Sequence, residues 1–321
     1  MKKVLLIGLA ATAMLASCSN DETVEIAQPK AIGFSSFIDK STRAVDTDLT
    51  NLSSIEVYGW RGQTQIFDKQ EVTVDNQGKG TYSPLQYWEA NYSYAFEAIK
   101  PKTGDKGVTF TANKTGGTIN FVNDAQTDLL YAGIVSKTTE QTLATTPGEV
   151  SFTFKHLLSR VKFTFKNAFP SNAAAKITVT AVSITNAYKK GSITPTAENA
   201  QWTTTDNTLN VNFNSDNVKD LAANTGNAET SHMYLIPNAS PSYTVNFTVT
   251  LNQNGATTEY EHTATIITAM EKGKSYNFVA EITENNISNN KLFPINFTAN
   301  VEKWIDLTNN NITLNQTTAN E

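Results

Sequence analysis

Cys18 is the only thiol in the chain, and its surroundings suggest one reaction of that thiol. Residues 1–18 begin with Met1, Lys2 and Lys3, continue as an apolar run and end in small residues, as secretory signals do. Residues 15–18 (LASC) resemble the bacterial lipobox, in which the cysteine sulfur receives a diacylglycerol group and becomes the new N-terminus after cleavage. The sequence therefore predicts a signal peptide over residues 1–17 and lipidation of Cys18. The alternative is an ordinary signal peptide with an incidental cysteine.

The segment that follows Cys18 is polar and acidic. Residues 19–22 (SNDE) are similar to a short signal that sends lipoproteins to the outer face of the outer membrane, and a solvated linker explains them as well. We assign residues 18–30 to a linker. Beyond Cys18 no apolar run reaches the length needed to cross a bilayer, so the lipid is the expected membrane anchor.

Other residues with chemical potential do not form recognisable catalytic motifs. Residues 273–275 (GKS) lack the first glycine of a phosphate-binding loop, and residues 78–80 (GKG) lack the third glycine of a dinucleotide loop. The histidines His156, His232 and His262 do not have the close spacing of metal ligands. Residues 33–37 (GFSSF) lack the second glycine of a nucleophile elbow, and acidic pairs such as Asp46 and Asp48 suit solvated turns. We expect no enzyme activity, no cofactor and no metal site.

Composition excludes several classes of protein. The 321 residues are 39% apolar and 17% charged, which does not fit a disordered chain. The formal net charge is -5, with 25 basic residues scattered among 30 acidic ones, so no basic stripe is available for nucleic acid. A single cysteine also rules out an intrachain disulfide and a cysteine-based zinc site.

From about residue 31 the hydrophobic pattern repeats every second residue. Residues 243–251 (YTVNFTVTL) are apolar at every odd position and polar at every even one, which predicts a strand with one buried face. Similar segments are separated by turns rich in Gly, Asn, Pro and Asp, as in antiparallel β-sandwiches. They occupy residues 55–60, 92–99, 118–122, 129–135, 177–184, 209–213, 233–236, 260–266, 276–282 and 295–301.

The alternation changes phase at residues 157–159. Phe152 and Phe154 share one parity, whereas Val161, Phe163 and Phe165 share the other. A continuous strand does not exchange its buried face, so either a bulge or a passage between two sandwiches lies there. We place a domain boundary near residue 158, with one sandwich over residues 31–158 and a second over 159–321.

Several segments, taken in order, resemble the fimbrillin-like family, the building blocks of type V pili. They span most of the chain that follows the signal: residues 42–44 (TRA), 55–59 (IEVYG), 128–132 (DLLYA), 154–163 (FKHLLSRVKF), 191–202, 234–237 (YLIP), 273–278 (GKSYNF) and 301–304 (VEKW). The resemblance implies two tandem transthyretin-like β-sandwiches and therefore an all-β fold. It also implies export as a lipoprotein to the cell surface and polymerisation by donor-strand exchange.

In that family an arginine-specific protease cuts after an early arginine and removes the first strand, and the matching residue here is Arg43. A plain loop arginine is the alternative. The strand that such a cut would release carries Ile32 and Phe34, with Phe37 or Ile38, as side chains that plug a groove. Its loss would expose apolar pockets and unpaired backbone groups to a strand from another chain. Residues 292–315 either close the second sandwich or swing out as a donor strand.

The resemblance thus implies a structural or adhesive subunit of a type V fimbria, anchored at the outer membrane. Its expected partners are other fimbrial subunits, the membrane through the lipid, and receptors on host or bacterial surfaces. The role in stalk, tip or anchor stays open. A second hypothesis is a surface glycan-binding lipoprotein, because Trp60, Trp88, Trp202 and Trp304 could stack on sugar rings.

Overall fold

The computed structural model describes residues 30–38, 52–141, 147–196, 199–287 and 295–303. All regular elements in these ranges are β-strands, which confirms the predicted all-β class. Among the same residues, no helix is long and apolar enough to cross a membrane. The strands are β1 Phe34–Ile38, β2 Ser54–Arg61, β3 Thr64–Val74, β4 Lys79–Thr81, β5 Ser93–Lys100, β6 Val108–Thr111, β7 Thr118–Val122, β8 Leu130–Thr138, β9 Val150–His156, β10 Ser159–Asn167, β11 Ala175–Ala187, β12 Lys190–Ile193, β13 Thr203–Asp206, β14 Leu209–Asn212, β15 Leu221–Ala222, β16 Asn227–Glu229, β17 Met233–Leu235, β18 Tyr243–Gln253, β19 Ala256–Ile266, β20 Lys274–Ile282 and β21 Phe297–Lys303.

Seven strands of the first half close into a barrel, in the order β1, β4, β3, β2, β5, β8, β9. Strand β1 completes the circle because it pairs antiparallel with β4 on one side and parallel with β9 on the other. The barrel interior contains the buried rings of Phe34, Phe67, Phe96 and Phe152. Because the circle is complete, every one of these seven strands has a neighbour on both sides.

Most strands of the second half form two sheets that pack face to face. In one sheet β10 pairs with β16, β17 and β20, and β21 lies beyond β20 at the edge; the other has the order β14, β11, β18, β19, with β15 also paired to β11. Phe165 of β10 and Phe247 of β18 belong to the core between them, with ring centroids 5.3 Å apart. The alternation predicted for residues 243–251 is confirmed, since Tyr243, Val245 and Val249 are also buried there.

The change of phase at residues 157–159 has a direct structural cause. Strand β9 ends at His156 with Phe152 and Phe154 in the barrel core, and β10 begins at Ser159 with its apolar side chains in the second core. A further sheet joins strands from both sides of this point, because β12 pairs with β7 through Gly191 and Phe121. With a sheet shared between the two halves, the division into domains at residue 158 stays a prediction.

Candidate functional site: the groove around the first strand

The backbone of residues 30–38 is hydrogen-bonded on both sides. Towards the residues on either side of β4, the Ser36 amide donates to the Gly78 carbonyl at 2.7 Å and the Ile32 amide to the Gln86 carbonyl at 2.8 Å. Towards β9, the Val150 amide donates to the Gly33 carbonyl at 2.8 Å, and the parallel register pairs Phe34 with Val150 and Ile38 with Phe154. We call the space between β4 and β9 that these residues fill the β1 groove.

Two large side chains of this segment lie in the barrel core. Ile32 and Phe34 are 1% and 0% exposed. The Phe34 ring stacks on Phe152 with centroids 5.7 Å apart and meets the edges of Phe67 at 5.3 Å and Phe96 at 6.0 Å. Burial of a large apolar side chain contributes about 1.5–3 kcal/mol, and aromatic contacts add to that. These two residues therefore hold the segment in place.

Gly80 and Tyr82 shape the wall of the β1 groove. A Cβ atom at Gly80 would lie 2.6 Å from Cγ1 of Val72 and 3.1 Å from Cβ of Phe34, so only glycine lets β1 approach β4 this closely. The Tyr82 hydroxyl donates to the Ile32 carbonyl at 2.7 Å, and the centroid of its ring lies 5.2 Å from that of Phe34. Burial raises the pKa of Tyr82 above its ordinary value.

The remaining predicted site residues are described in part or not at all. Phe37 and Ile38 belong to β1 and pair with Thr153 and Phe154 of β9, but their side chains lie outside the described part of the structure. Cys18 and Arg43 also lie outside the described residues. The contacts of the β1 groove are therefore those of residues 30–36 and of the strands that flank them.

A profile of fimbrillin-like proteins matches residues 42–304 of this sequence. The chain belongs to the fimbrillin-like family. No curated protein that was compared with it gives a significant match.

Solved structures share the fold of this fimbrillin-like chain at low sequence identity. One, from Bacteroides uniformis, was described as a candidate cell adhesion protein; it is 19% identical, with a TM-score of 0.52 over 85% of this chain and 98% of the other. Another, from Bacteroides ovatus and given the same description, is 16% identical, with a TM-score of 0.50 over 86% and 98% of the two chains. At such identities the likeness extends to the fold alone.

The histidines of the fimbrillin-like chain lie in separate environments. His156 lies 3.0 Å from the buried Asp128, His232 packs against the Tyr234 ring, and His262 stacks on Phe247. No three His, Cys, Asp or Glu side chains among the described residues are placed to hold a metal ion. Lys274 and Ser275 are the first residues of strand β20, whereas a phosphate-binding loop would lead into a helix.

The tryptophans differ in their access to a ligand. Trp60 and Trp88 are 8% and 2% exposed, so they cannot serve as platforms for sugar rings. Trp202 is partly buried, and its Nε1 donates to the Leu157 carbonyl at 2.8 Å. Trp304 lies outside the described residues. The glycan-binding hypothesis therefore loses two of the four aromatic groups that suggested it.

A cavity of about 410 Å³ lies at one end of the barrel, near Glu56, Lys100 and Lys102. Glu56 accepts hydrogen bonds from the Tyr58 hydroxyl at 2.6 Å and the Thr103 amide at 3.1 Å. Lys102 pairs with Glu71 at 3.2 Å, and burial lowers the pKa of Lys100. Through Thr103 and Lys102 these contacts attach the loop after β5 to strands β2 and β3.

A buried carboxylate fixes another loop on the outside of the barrel. Glu97 accepts hydrogen bonds from the Tyr131 hydroxyl at 2.8 Å and from the amides of Gly117 and Asn113, both at 2.9 Å. Burial raises the pKa of Glu97, and the three donors oppose that effect. The arrangement accounts for a charged residue inside an apolar strand as a structural support for the loop between β6 and β7.

Sequence reasoning does not find Gly80 or Tyr82. Residues 78–80 attract notice in the sequence as a fragment of a nucleotide motif, whereas in the fold they form the turn into β4 and its first residues. A glycine inside a short strand is a known sign of close backbone approach, and that signal is present. Which strand approaches it cannot be inferred, because Phe34 and Gly80 are far apart in the sequence.

Proposed function

We propose that this chain is a structural or adhesive subunit of a type V fimbria. In this proposal it is exported as a lipoprotein attached through Cys18 to the outer membrane, and it joins other subunits by donor-strand exchange after proteolysis near Arg43. One observation supports this proposal: the segment that precedes Arg43 in the chain buries its side chains Ile32 and Phe34 in the β1 groove.

Loss of that segment would change the barrel in a defined way. Two large side chains at about 1.5–3 kcal/mol each represent about 3–6 kcal/mol of burial, before the cost of ordering a replacement strand. The backbone groups now bonded to β1 and the residues before it, such as the Gly78 and Gln86 carbonyls and the Val150 amide, would lack partners. An incoming strand with apolar side chains at alternate positions restores both contributions.

Residues 295–301 are the candidate donor in this sequence. Ile295, Phe297, Ala299 and Val301 have the same spacing as Ile32, Phe34, Ser36 and Ile38. Strand β21 is an edge strand that pairs with β20, Phe297 and Ala299 are only partly buried, and Val301 is 51% exposed. Ile295 is buried, and the Phe297 ring contacts Phe163 and Phe165 of the second core. Transfer of this strand would therefore exchange an edge position in the second half for a place with backbone partners on both sides in the β1 groove.

The test is the fate of Arg43 in protein recovered from the cell surface of a host that carries the arginine-specific protease. We expect wild-type protein to begin at residue 44 and to form a ladder of heat-resistant oligomers. Arg43→Ala and Arg43→Lys should keep the lipidated Cys18 as N-terminus and stay monomeric, whereas Lys40→Ala, a change in a neighbouring basic residue, should behave as wild type. An N-terminus at Cys18 in wild-type protein, with no ladder, would refute the proposal.

A further inference from the structure

Ser36 is a polar side chain that the first strand directs into the barrel core. Along the described side chains of this segment Ile32, Phe34 and Ser36 are buried, and Gly33 and Ser35 between them are partly exposed. The Ser36 side chain is 0% exposed, and its Oγ has no hydrogen-bond partner among the described residues. A buried hydroxyl without a partner opposes burial of the strand that carries it.

The neighbouring serine has the opposite environment. Ser35 lies on the outer side of the same strand, and its Oγ is 2.8 Å from Oγ of Ser151 on β9. The two residues have the same side chain, adjacent positions and the same strand propensity. They differ in burial and in whether the hydroxyl has a partner, so Ser35→Ala is the control that removes a hydroxyl from β1 without removing a buried one that lacks a partner.

We propose that position 36 is where the β1 groove discriminates between strands: it holds the resident strand with Ser36 less tightly than a strand of the same pattern with a small apolar residue there. This inference rests on the proposed exchange of strands. The backbone bonds of Ser36 and Gly33 to Gly78 and Val150 are independent of side chain, so any strand in this register recovers them. Discrimination must therefore come from side chains, and the inward-pointing ones undergo the largest change in burial.

The candidate donor differs from the resident strand at this position. In the alignment of residues 295–301 with residues 32–38, Ile295 matches Ile32, Phe297 matches Phe34 and Ala299 matches Ser36. The two anchors are retained in kind, and the hydroxyl that lacks a partner is replaced by a methyl group. Ser36 thus weakens the binding of the resident strand relative to the donor strand, so exchange favours the donor. The aromatic contacts of Phe34 are unaffected.

The test measures how fast the resident strand leaves after the chain is cut. The full chain receives a site for a highly specific protease within residues 39–51 and a fluorescent label ahead of residue 30, and release of the labelled fragment is followed after cleavage. An unsatisfied buried hydroxyl disfavours the bound strand by about tenfold or more in an equilibrium constant. Ser36→Ala removes this penalty from the bound state only, so it should slow release of the fragment by about the same factor. Ser35→Ala loses a satisfied hydrogen bond and should release the fragment as fast as wild type or faster.

Two results would overturn the inference: release from Ser36→Ala at the wild-type rate or faster, or equal slowing by Ser35→Ala. A synthetic peptide of residues 293–303 is then offered to the emptied groove, together with the same peptide carrying Ala299→Ser. We expect the serine peptide to bind about tenfold more weakly, and equal binding would also contradict the role of position 36. If neither peptide binds, the proposed strand exchange fails, while the release rates still decide whether serine or alanine at position 36 is held more tightly in the resident strand.

Discussion

Substitution of Phe34 by alanine should loosen the first strand more than any other part of the protein. The ring is completely buried and lies within 6.0 Å, centroid to centroid, of Phe67, Tyr82, Phe96 and Phe152. Replacing a buried phenylalanine by alanine usually costs about 3–5 kcal/mol, from lost burial and from the cavity that remains. Because β1 is short and is the first of the described strands, most of this cost should appear as local opening of the β1 groove.

Amide hydrogen exchange distinguishes local opening from general destabilisation. In Phe34→Ala we expect the amides of Ile32 and Ser36, which donate to the Gln86 and Gly78 carbonyls, to exchange at least about a hundredfold faster, whereas amides of β18 keep their protection. Phe278→Ala removes a similarly buried ring from the second core, where it contacts Phe163, and should speed exchange in β10 and β20 while Ile32 and Ser36 keep their protection. If Ile32 and Ser36 keep wild-type protection in Phe34→Ala, Phe34 does not hold the strand and the reasoning is refuted.

Two further predictions concern the groove wall and acid sensitivity. Gly80→Ala should lower the free energy of unfolding by about 1–3 kcal/mol in urea titrations, because its Cβ would lie 2.6 Å from Cγ1 of Val72. Gly133→Ala is the control and should change this free energy little, since its Cβ would lie 3.7 Å from the nearest atom. Equal losses in the two variants would contradict the steric argument. Burial, with Arg160 and Lys162 nearby, lowers the pKa of His232 to about 4. The unfolded histidine binds a proton more readily, so stability present above about pH 6.5 should be lost as the pH falls towards 4. The melting temperature measured across this pH range should fall less steeply for His232→Gln than for the wild type. Parallel dependence on pH in the two proteins would exclude a contribution from this residue.

Local patterns predict most strands because their alternation agrees with burial in the fold. The strand predicted over residues 118–122 has the bounds of β7, and the one over residues 243–251 falls within β18. Strand β3 escapes prediction, and its burial pattern shows why: exposed residues interrupt the alternation, and Lys69 has a φ of 52°, where the pairing with β2 is irregular. A bulge of this kind shifts the inward face midway along a strand, so a search for strict period two fails there.

The sequence predicts that apolar side chains of the first strand are buried, but it does not predict which strands surround them. The apolar spacing of Ile32 and Phe34 indicates a strand with a buried face, and both residues are buried. The partners of that strand, β4 and β9, are not predictable, since Phe34 pairs with Gly80 and Val150 across long stretches of chain. Periodicity reports which face of a strand is buried but carries no information on its neighbours. The position of Ser36 in the core, with an unsatisfied hydroxyl, likewise requires the structure.

The place of β1 in the chain explains why this strand, among the seven of the barrel, suits removal. Each of the other six is connected to further strands at both ends, so its loss would break the path of the chain through the barrel. Strand β1 is the first of the described strands, and nothing after Arg43 depends on it for connection. Its removal would turn a closed sheet into an open one with β4 and β9 at the edges. The edge of β9 pairs with β1 along five residues, whereas β4 pairs along two, so a replacement strand would take its register and its direction mainly from β9.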